Sequence, residues 1–300
     1  KEALYTVYGY QVVINGNFDL KYYIDLSKEA ANDTDAYIEF KVGDRIQKVK
    51  QRETSNGHYV YTCEVPVAQI GDKVTATLHY KDKLYALSQY SVKDYLNTIV
   101  QNKDKKEEYG KAADIASAIL NYGARAQLYF GYKTDALVNS ALPDAEIKKV
   151  DSILAQDIKK AIANNEIGVL ENNDFKYYGA SLVCKSDTGM KLYFENKNSL
   201  SLKEIDKKYD ISVKDCKKQI SKSINGNMIC ITINDLNATE LDDNFVVQIT
   251  NKQNSSQSMS VSTSPYIYIK KSMDSGDEKL INLSKAMYWY SQKAMEYSMH

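Results

Sequence analysis

Acid–base, nucleophilic or metal chemistry needs side chains that titrate or coordinate, and this chain arranges few of them in a useful way. Histidine occurs only at 58, 79 and 300. That leaves too few imidazoles for a histidine-based metal cluster, and no Ser-His-Asp order stands out. Cys63, Cys184, Cys216 and Cys230 show neither C-x-x-C nor Cys/His metal spacing. They read as free thiols, Cys63 and Cys184 as small buried residues, with a Cys216–Cys230 bridge as the one pairing to test. There is no G-x-G-x-x-G, G-x-x-x-x-G-K or H-E-x-x-H. Asp72 and Asp243 recur at matching places, but each precedes a strand, where a turn role fits better than catalysis. The expectation is no catalytic residue, no metal ligand and no cofactor.

The chemistry that remains is contact chemistry. Tyrosine supplies 25 of 300 residues, against one Trp and six Phe. Interfaces favour Tyr because it offers a large rigid surface, a hydroxyl and little rotamer entropy to lose. Much of it reads as structural: Tyr122, Tyr129, Tyr290 and Tyr297 as helix core, Tyr5 and Tyr8 as strand starts. Two triplets differ, because Lys21, Tyr23 and Asp25 alternate with apolar residues, and Lys191, Tyr193 and Glu195 repeat that Lys-x-Tyr-x-acid pattern. These six are the candidate binding residues. The alternative is that helices cover this face or that cross-strand pairing alone selected it.

Strands must position the triplets. Phe18, Leu20, Tyr22 and Ile24 fall on one face, as do Met190, Leu192 and Phe194, leaving each triplet on the other. Further alternating runs are Ile38/Phe40/Val42 with Tyr209/Ile211/Val213, and Tyr59/Tyr61/Cys63 with Ile229/Ile231/Ile233. Val74 to Tyr80 alternates too, and leads through Lys81-Asp82 into a hairpin partner around Leu84-Tyr85-Ala86. Short strands at a spacing of about ten residues predict an antiparallel sandwich, immunoglobulin-like in size. Then the period changes. Ser91 and Asp94 have capping-box spacing, and Pro265 takes a permitted first-turn position after Ser264. Second helices are predicted at 111–131 and 278–298, with apolar seams at 115, 119, 122, 126, 129 and at 283, 287, 290, 294, 297. Ala126 and Ala294 on those seams allow close approach.

The same order of segments occurs twice. Tyr8-Gly9, Val13 and Lys21-Tyr22-Tyr23 meet Tyr178-Gly179, Val183 and Lys191-Leu192-Tyr193 at a separation of 170. Ile115 to Tyr129 meets Leu283 to Tyr297 at 168. The expected fold class is therefore α+β: two duplicated modules, each an antiparallel β-sandwich followed by a C-terminal helical hairpin, joined by a helical linker. The expected bounds are 1–139, 140–172 and 173–300, with Ile147, Val150, Ile153, Leu154, Ile158 and Ile162 forming the apolar stripe of the linker helix.

Charge excludes some partners. Lys plus Arg and Asp plus Glu stand at 39 each, so no net field draws nucleic acid or anionic lipid. The run from Lys203 to Lys222, seven lysines against four acids, reads as a solvated edge. No stretch nears the roughly 20 apolar residues that span a bilayer, so no membrane insertion is expected of this fragment. No signal peptide is seen. The abrupt start at Lys1 suggests a piece of a longer protein, expected to be monomeric.

Residues 121–132, Asn-Tyr-Gly-Ala-Arg-Ala-Gln-Leu-Tyr-Phe-Gly-Tyr, following Tyr90-Ser91-Val92-Lys93-Asp94-Tyr95, resemble the LNYGAxAQxYF helix of modules in large secreted and surface proteins of Gram-positive gut bacteria. Residues 178–183 are similar to that family's second β-unit. In the second helix, Trp289-Tyr290-Ser291-Gln292-Lys293-Ala294 lacks the Gly, so only packing positions carry over there. The family includes immunoglobulin-binding B-cell superantigens. The resemblance implies an exported, non-enzymatic protein, secreted or attached to the cell surface, and supplies no catalytic residues. Three classes stay open: a module binding a host protein, with an antibody variable domain foremost; a spacer in a multidomain adhesin; and a carbohydrate-binding module. A protein interface needs about 800 Å² per partner, which flat sheet faces supply.

Overall fold

The computed structural model describes residues 3–14, 18–105, 107–142, 168–184 and 188–299. The apolar stripe expected for the linker helix, Ile147 to Ile162, lies outside them. The chain divides into two compact units, residues 1–143 with 292–300, and residues 144–291. It is mixed α+β, with several antiparallel sheets and, among the described residues, six α-helices.

Unit 1 runs β1 (Tyr5–Val12), β2 (Leu20–Leu26), α1 (Lys28–Asn32), β3 (Tyr37–Val42), β4 (Arg45–Val49), β5 (Glu53–Ser55), β6 (His58–Cys63), β7 (Val74–Tyr80), β8 (Lys83–Tyr90), α2 (Val92–Gln101) and α3 (Glu107–Phe130). Its sheets have the orders β1-β2-β6-β5 and β4-β3-β7-β8. The alternation seen in the sequence explains why they pack. Leu20, Tyr22 and Ile24 of β2 and Ile38, Phe40 and Val42 of β3 are each 0 % exposed. Tyr22 and Phe40 bring their rings to 5.0 Å, and the Tyr22 hydroxyl donates to the Val74 carbonyl at 3.2 Å, so the two sheets share one core. Lys81 and Asp82 adopt φ of 46° and 58°, the left-handed pair that a two-residue hairpin demands between β7 and β8. The Ser91–Asp94 capping box starts α2 as expected.

α3 rests on the short turn at Val67–Gln69 and on Ile70. A Cβ at Gly123 would stand 2.4 Å from the Ile70 Cδ1, so glycine there permits the approach. Ile115, Ile119, Tyr122 and Ala126 are buried along the predicted seam. Tyr129 is not: it is 36 % exposed, and Tyr297, its counterpart, is 39 % exposed. Both were expected in the core. Burial ends at Gln127 and at Ala294, so the last turn of each helix outruns the surface it covers while the apolar period continues.

Unit 2 runs β9 (Phe175–Cys184), β10 (Thr188–Asn196), α4 (Leu202–Lys208), β11 (Tyr209–Val213), β12 (Ile220–Asn225), β13 (Met228–Ile233), β14 (Phe245–Asn251), β15 (Met259–Thr263), α5 (Pro265–Met273) and the start of α6 (Glu278–Ser298). One sheet has the order β12-β13-β10-β9, the other β11-β14-β15. Read from β9, the first repeats the pairing of β1-β2-β6-β5; among the described residues the second has no counterpart of β4. Pro265 opens α5 in its first turn after the Ser264 cap. Tyr266 of α5 and Tyr288 of α6 meet at 5.1 Å. Where α3 has Gly123, α6 has Ser291, whose hydroxyl donates to the Ala238 carbonyl at 2.6 Å.

Ala126 and Ala294 are both 0 % exposed. Ala126→Leu and Ala294→Leu should each destabilise by about 1–3 kcal/mol, because added methylenes in a filled space force off-rotamer side chains or backbone shifts. Thermal melts check this. Unchanged melting in both variants contradicts the packing described.

Candidate functional site

The first triplet sits on the outward side of β2, with all three residues half-buried. Lys21 Nζ lies 3.8 Å from Glu53 of β5. Tyr23 pairs with Gly9 of β1 on one side and with Val60 of β6 on the other, and its hydroxyl donates to Gln11 Oε1 at 2.7 Å. Beside it the register of β1 slips: Val7 pairs with Ile24 and Gly9 with Tyr23, so Tyr8 is an extra residue with no partner on β2. This is a β-bulge, and it ejects the Tyr8 side chain, which is 68 % exposed. His58, at the start of β6, stacks on the Tyr8 ring at 3.9 Å with an 18° tilt. Its Nδ1 is 2.7 Å from the Asp25 carboxylate. Since a carboxylate only accepts, Nδ1–H is the donor.

The second triplet is built the same way. Tyr177 pairs with Phe194 and Gly179 with Tyr193, leaving Tyr178 as the extra residue, 80 % exposed. Tyr193 and Ser181 join their hydroxyls at 2.9 Å, the counterpart of Tyr23 with Gln11. Lys191 Nζ lies 5.5 Å from the Tyr193 ring centre, a cation–π distance. Tyr178, Tyr193, Glu195, Asn227 and Met228 line an open recess of about 610 Å³. At both Gly9 and Gly179 an added Cβ would meet nothing within 4 Å, and neither has positive φ. Packing and backbone geometry thus leave glycine unexplained there; its effect is bare strand beside a tyrosine, a place where another chain can approach.

No protein-family model, curated protein or solved structure matches this chain.

Tyr8, Tyr178 and His58 belong to these patches although sequence reasoning placed them only as strand residues or dismissed them. A bulge is a two-against-one count between strands, so no pattern within one strand reveals it. The only signal was that Tyr-Gly recurs at the 170-residue spacing. Cys230, opposite Tyr193 and 1 % exposed, is a free thiol, as is Cys216, so the Cys216–Cys230 bridge is not made. Cys63 is free too. Burial, and then the charge of Asp19, pushes its thiol up to about 12, which leaves it unreactive. The Cys184 side chain lies outside the described residues.

Two buried carboxylates gather polar clusters of their own. Asp174 is 3 % exposed and receives Lys208 Nζ at 2.5 Å, the Tyr209 hydroxyl at 2.6 Å and Asn198 Nδ2 at 2.8 Å. Burial alone would raise its pKa, but these hydrogen bonds and the Lys208 charge outweigh it and hold the carboxyl below its ordinary range. Tyr209 is driven the other way, to about 12, by burial and by its bond to Asp174. Asp72 accepts from the Tyr132 hydroxyl and from Lys133 Nζ, the latter at 2.7 Å, tying the segment after α3 to the loop before β7. Asp243, its sequence counterpart, is exposed, with a carboxyl raised by partial loss of water and by Asp242 and Glu240. Both groups that are buried spend their charge on joining segments. Among the described residues no three His, Cys, Asp or Glu side chains gather as a metal site, and no helix is long and apolar enough to cross a membrane.

Proposed function

We propose that this chain is a non-enzymatic extracellular binding protein made of two copies of one β-sandwich-plus-helical-hairpin module. Its ligand is a host protein, most specifically an antibody variable domain, contacted through framework positions. The observation that carries the binding reading is the paired bulge: each unit ejects a tyrosine next to a second tyrosine over bare glycine backbone, with Tyr8 68 % and Tyr178 80 % exposed. An exposed Tyr beside a second Tyr over open backbone offers a ready contact surface, and Tyr is among the residues that anchor protein interfaces. The paired sheet orders and the 170-residue offset support the duplication. The immunoglobulin ligand is supported by the resemblance of residues 121–132 and 178–183 to superantigen modules. A spacer has no use for ejected rings.

The test is biolayer interferometry of the whole chain against polyclonal IgG and IgA and against recombinant Fabs of several variable-gene families. At least one family should bind at micromolar protein or below. With 39 charges of each sign, affinity should fall only modestly between low and physiological salt. Absence of binding to every family removes the antibody reading.

A further inference from the structure

We propose that the unit 2 recess takes the guanidinium of an arginine side chain of the partner protein, stacked on Tyr178 and hydrogen-bonded to Glu195. This rests on the protein-binding reading above. Unit 1 shows the occupied form of the same place. Tyr8, Asp25 and His58 correspond to Tyr178, Glu195 and Met228, each at a separation of 170. In unit 1 the protein's own imidazole fills the position, its face 3.9 Å from Tyr8 and its N–H directed at Asp25 over 2.7 Å. A flat group with N–H donors in its plane satisfies both neighbours at once, the ring through its face and the carboxylate through its edge.

In unit 2 the internal occupant is gone. The Met228 thioether donates nothing, the Tyr178 ring stands open, and among the described residues no group forms an ion pair or hydrogen bond with the Glu195 carboxylate. Lys176 faces Glu195 across the β9–β10 pair without forming an ion pair with it. The recess therefore keeps an aromatic face and a free anion and lacks the planar donor between them. Arginine fits where lysine does not, because a guanidinium is planar, always charged, and presents its N–H groups in the plane while stacking through its face; an ammonium is a point charge. Glu195 is one methylene longer than Asp25, which suits a group entering from outside rather than one carried on the adjacent strand.

The experiment is a ¹H–¹⁵N titration of the whole chain with N-acetyl-arginine methylamide, with the uncharged isostere N-acetyl-citrulline methylamide as control. Saturable shifts are expected at the amides of Tyr178, Gly179, Tyr193 and Glu195 with the arginine compound only. Glu195→Gln, nearly isosteric, should weaken the affinity about tenfold by removing the charge. Met228→His, which restores the internal occupant, should abolish the shifts, and His58→Met should create a second set around Tyr8 and Gly9. No saturable shift at the recess in the wild type, equal shifts with citrulline, or an unchanged Glu195→Gln variant overturns the arginine site. Fab capture without recess shifts would remove this site and leave the protein-binding reading standing. Recess shifts without Fab capture would keep the site and remove the antibody.

Discussion

Asp174→Ala should destabilise unit 2 by about 2–4 kcal/mol, because the buried carboxylate accepts from Lys208, Tyr209 and Asn198 at one junction. Its side chain is 4 % exposed. Without it the Tyr209 hydroxyl, on a residue 2 % exposed, keeps the side-chain amides of Asn172, at 3.4 Å, and of Asn251, which donate to it and leave its own hydrogen without an acceptor. Asn198 Nδ2 loses its 2.8 Å bond as well. Lys208 contributes less to the loss, since 45 % of its side chain stays in water. Asp174→Asn keeps an acceptor and the shape, so it should fall between the variant and the wild type. Scanning calorimetry reads both.

The folded-state pKa of Asp174 lies below its ordinary 3.8, so its stabilising contribution is complete above 3.8 and is lost as the pH falls through the folded value. The wild type should therefore lose stability in that acid window, and Asp174→Ala should lose correspondingly less there. An Asp174→Ala protein with wild-type stability at neutral pH would mean that the cluster is ornamental.

Tyr8→Ala and Tyr178→Ala should each weaken ligand binding by more than about 1 kcal/mol while leaving the melting temperature nearly unchanged. The separation follows from exposure: a ring 68 % or 80 % open to water contributes little to the fold it sits on. Tyr23 and Tyr193 lack that separation. Each is half-buried and hydrogen-bonded, to Gln11 and to Ser181. Truncating either to alanine should cost binding and stability together, and the Phe variants separate the hydroxyl from the ring. Equal affinities for the wild type and both bulge variants would place the contact elsewhere on the chain.

Alternation and turn chemistry made the strands legible. Leu20, Tyr22 and Ile24 point inward because a half-buried strand must place them so, and Lys81-Asp82 turns because its two positive φ angles match the twist of the strands it joins. The capping box at Ser91 is a local device and was equally readable. What depends on a second strand or a distant segment was not. The bulge at Tyr8 exists only relative to β2, so no pattern within β1 or β9 reveals the exposed Tyr8 and Tyr178, whereas Tyr23 and Tyr193 stand in the alternation of β2 and β10. Asp174, Lys208 and Tyr209 meet only after β9 and β11 are brought together, and no spacing announces them. Tyr129 and Tyr297 kept the helical period past the point where the covered surface stops; periodicity records a helix and not the length of its cover.

Whether the ejected tyrosines of both units hold a protein ligand is read from one comparison. The wild type and a Tyr8→Ala/Tyr178→Ala double variant are measured side by side against the Fab panel by biolayer interferometry, with melting curves as the control for folding. The wild type should bind at least one variable-gene family, and the double variant should lose about tenfold or more in affinity at an unchanged melting temperature. Binding to no family by the wild type, or equal binding by a folded double variant, contradicts that role of the tyrosines.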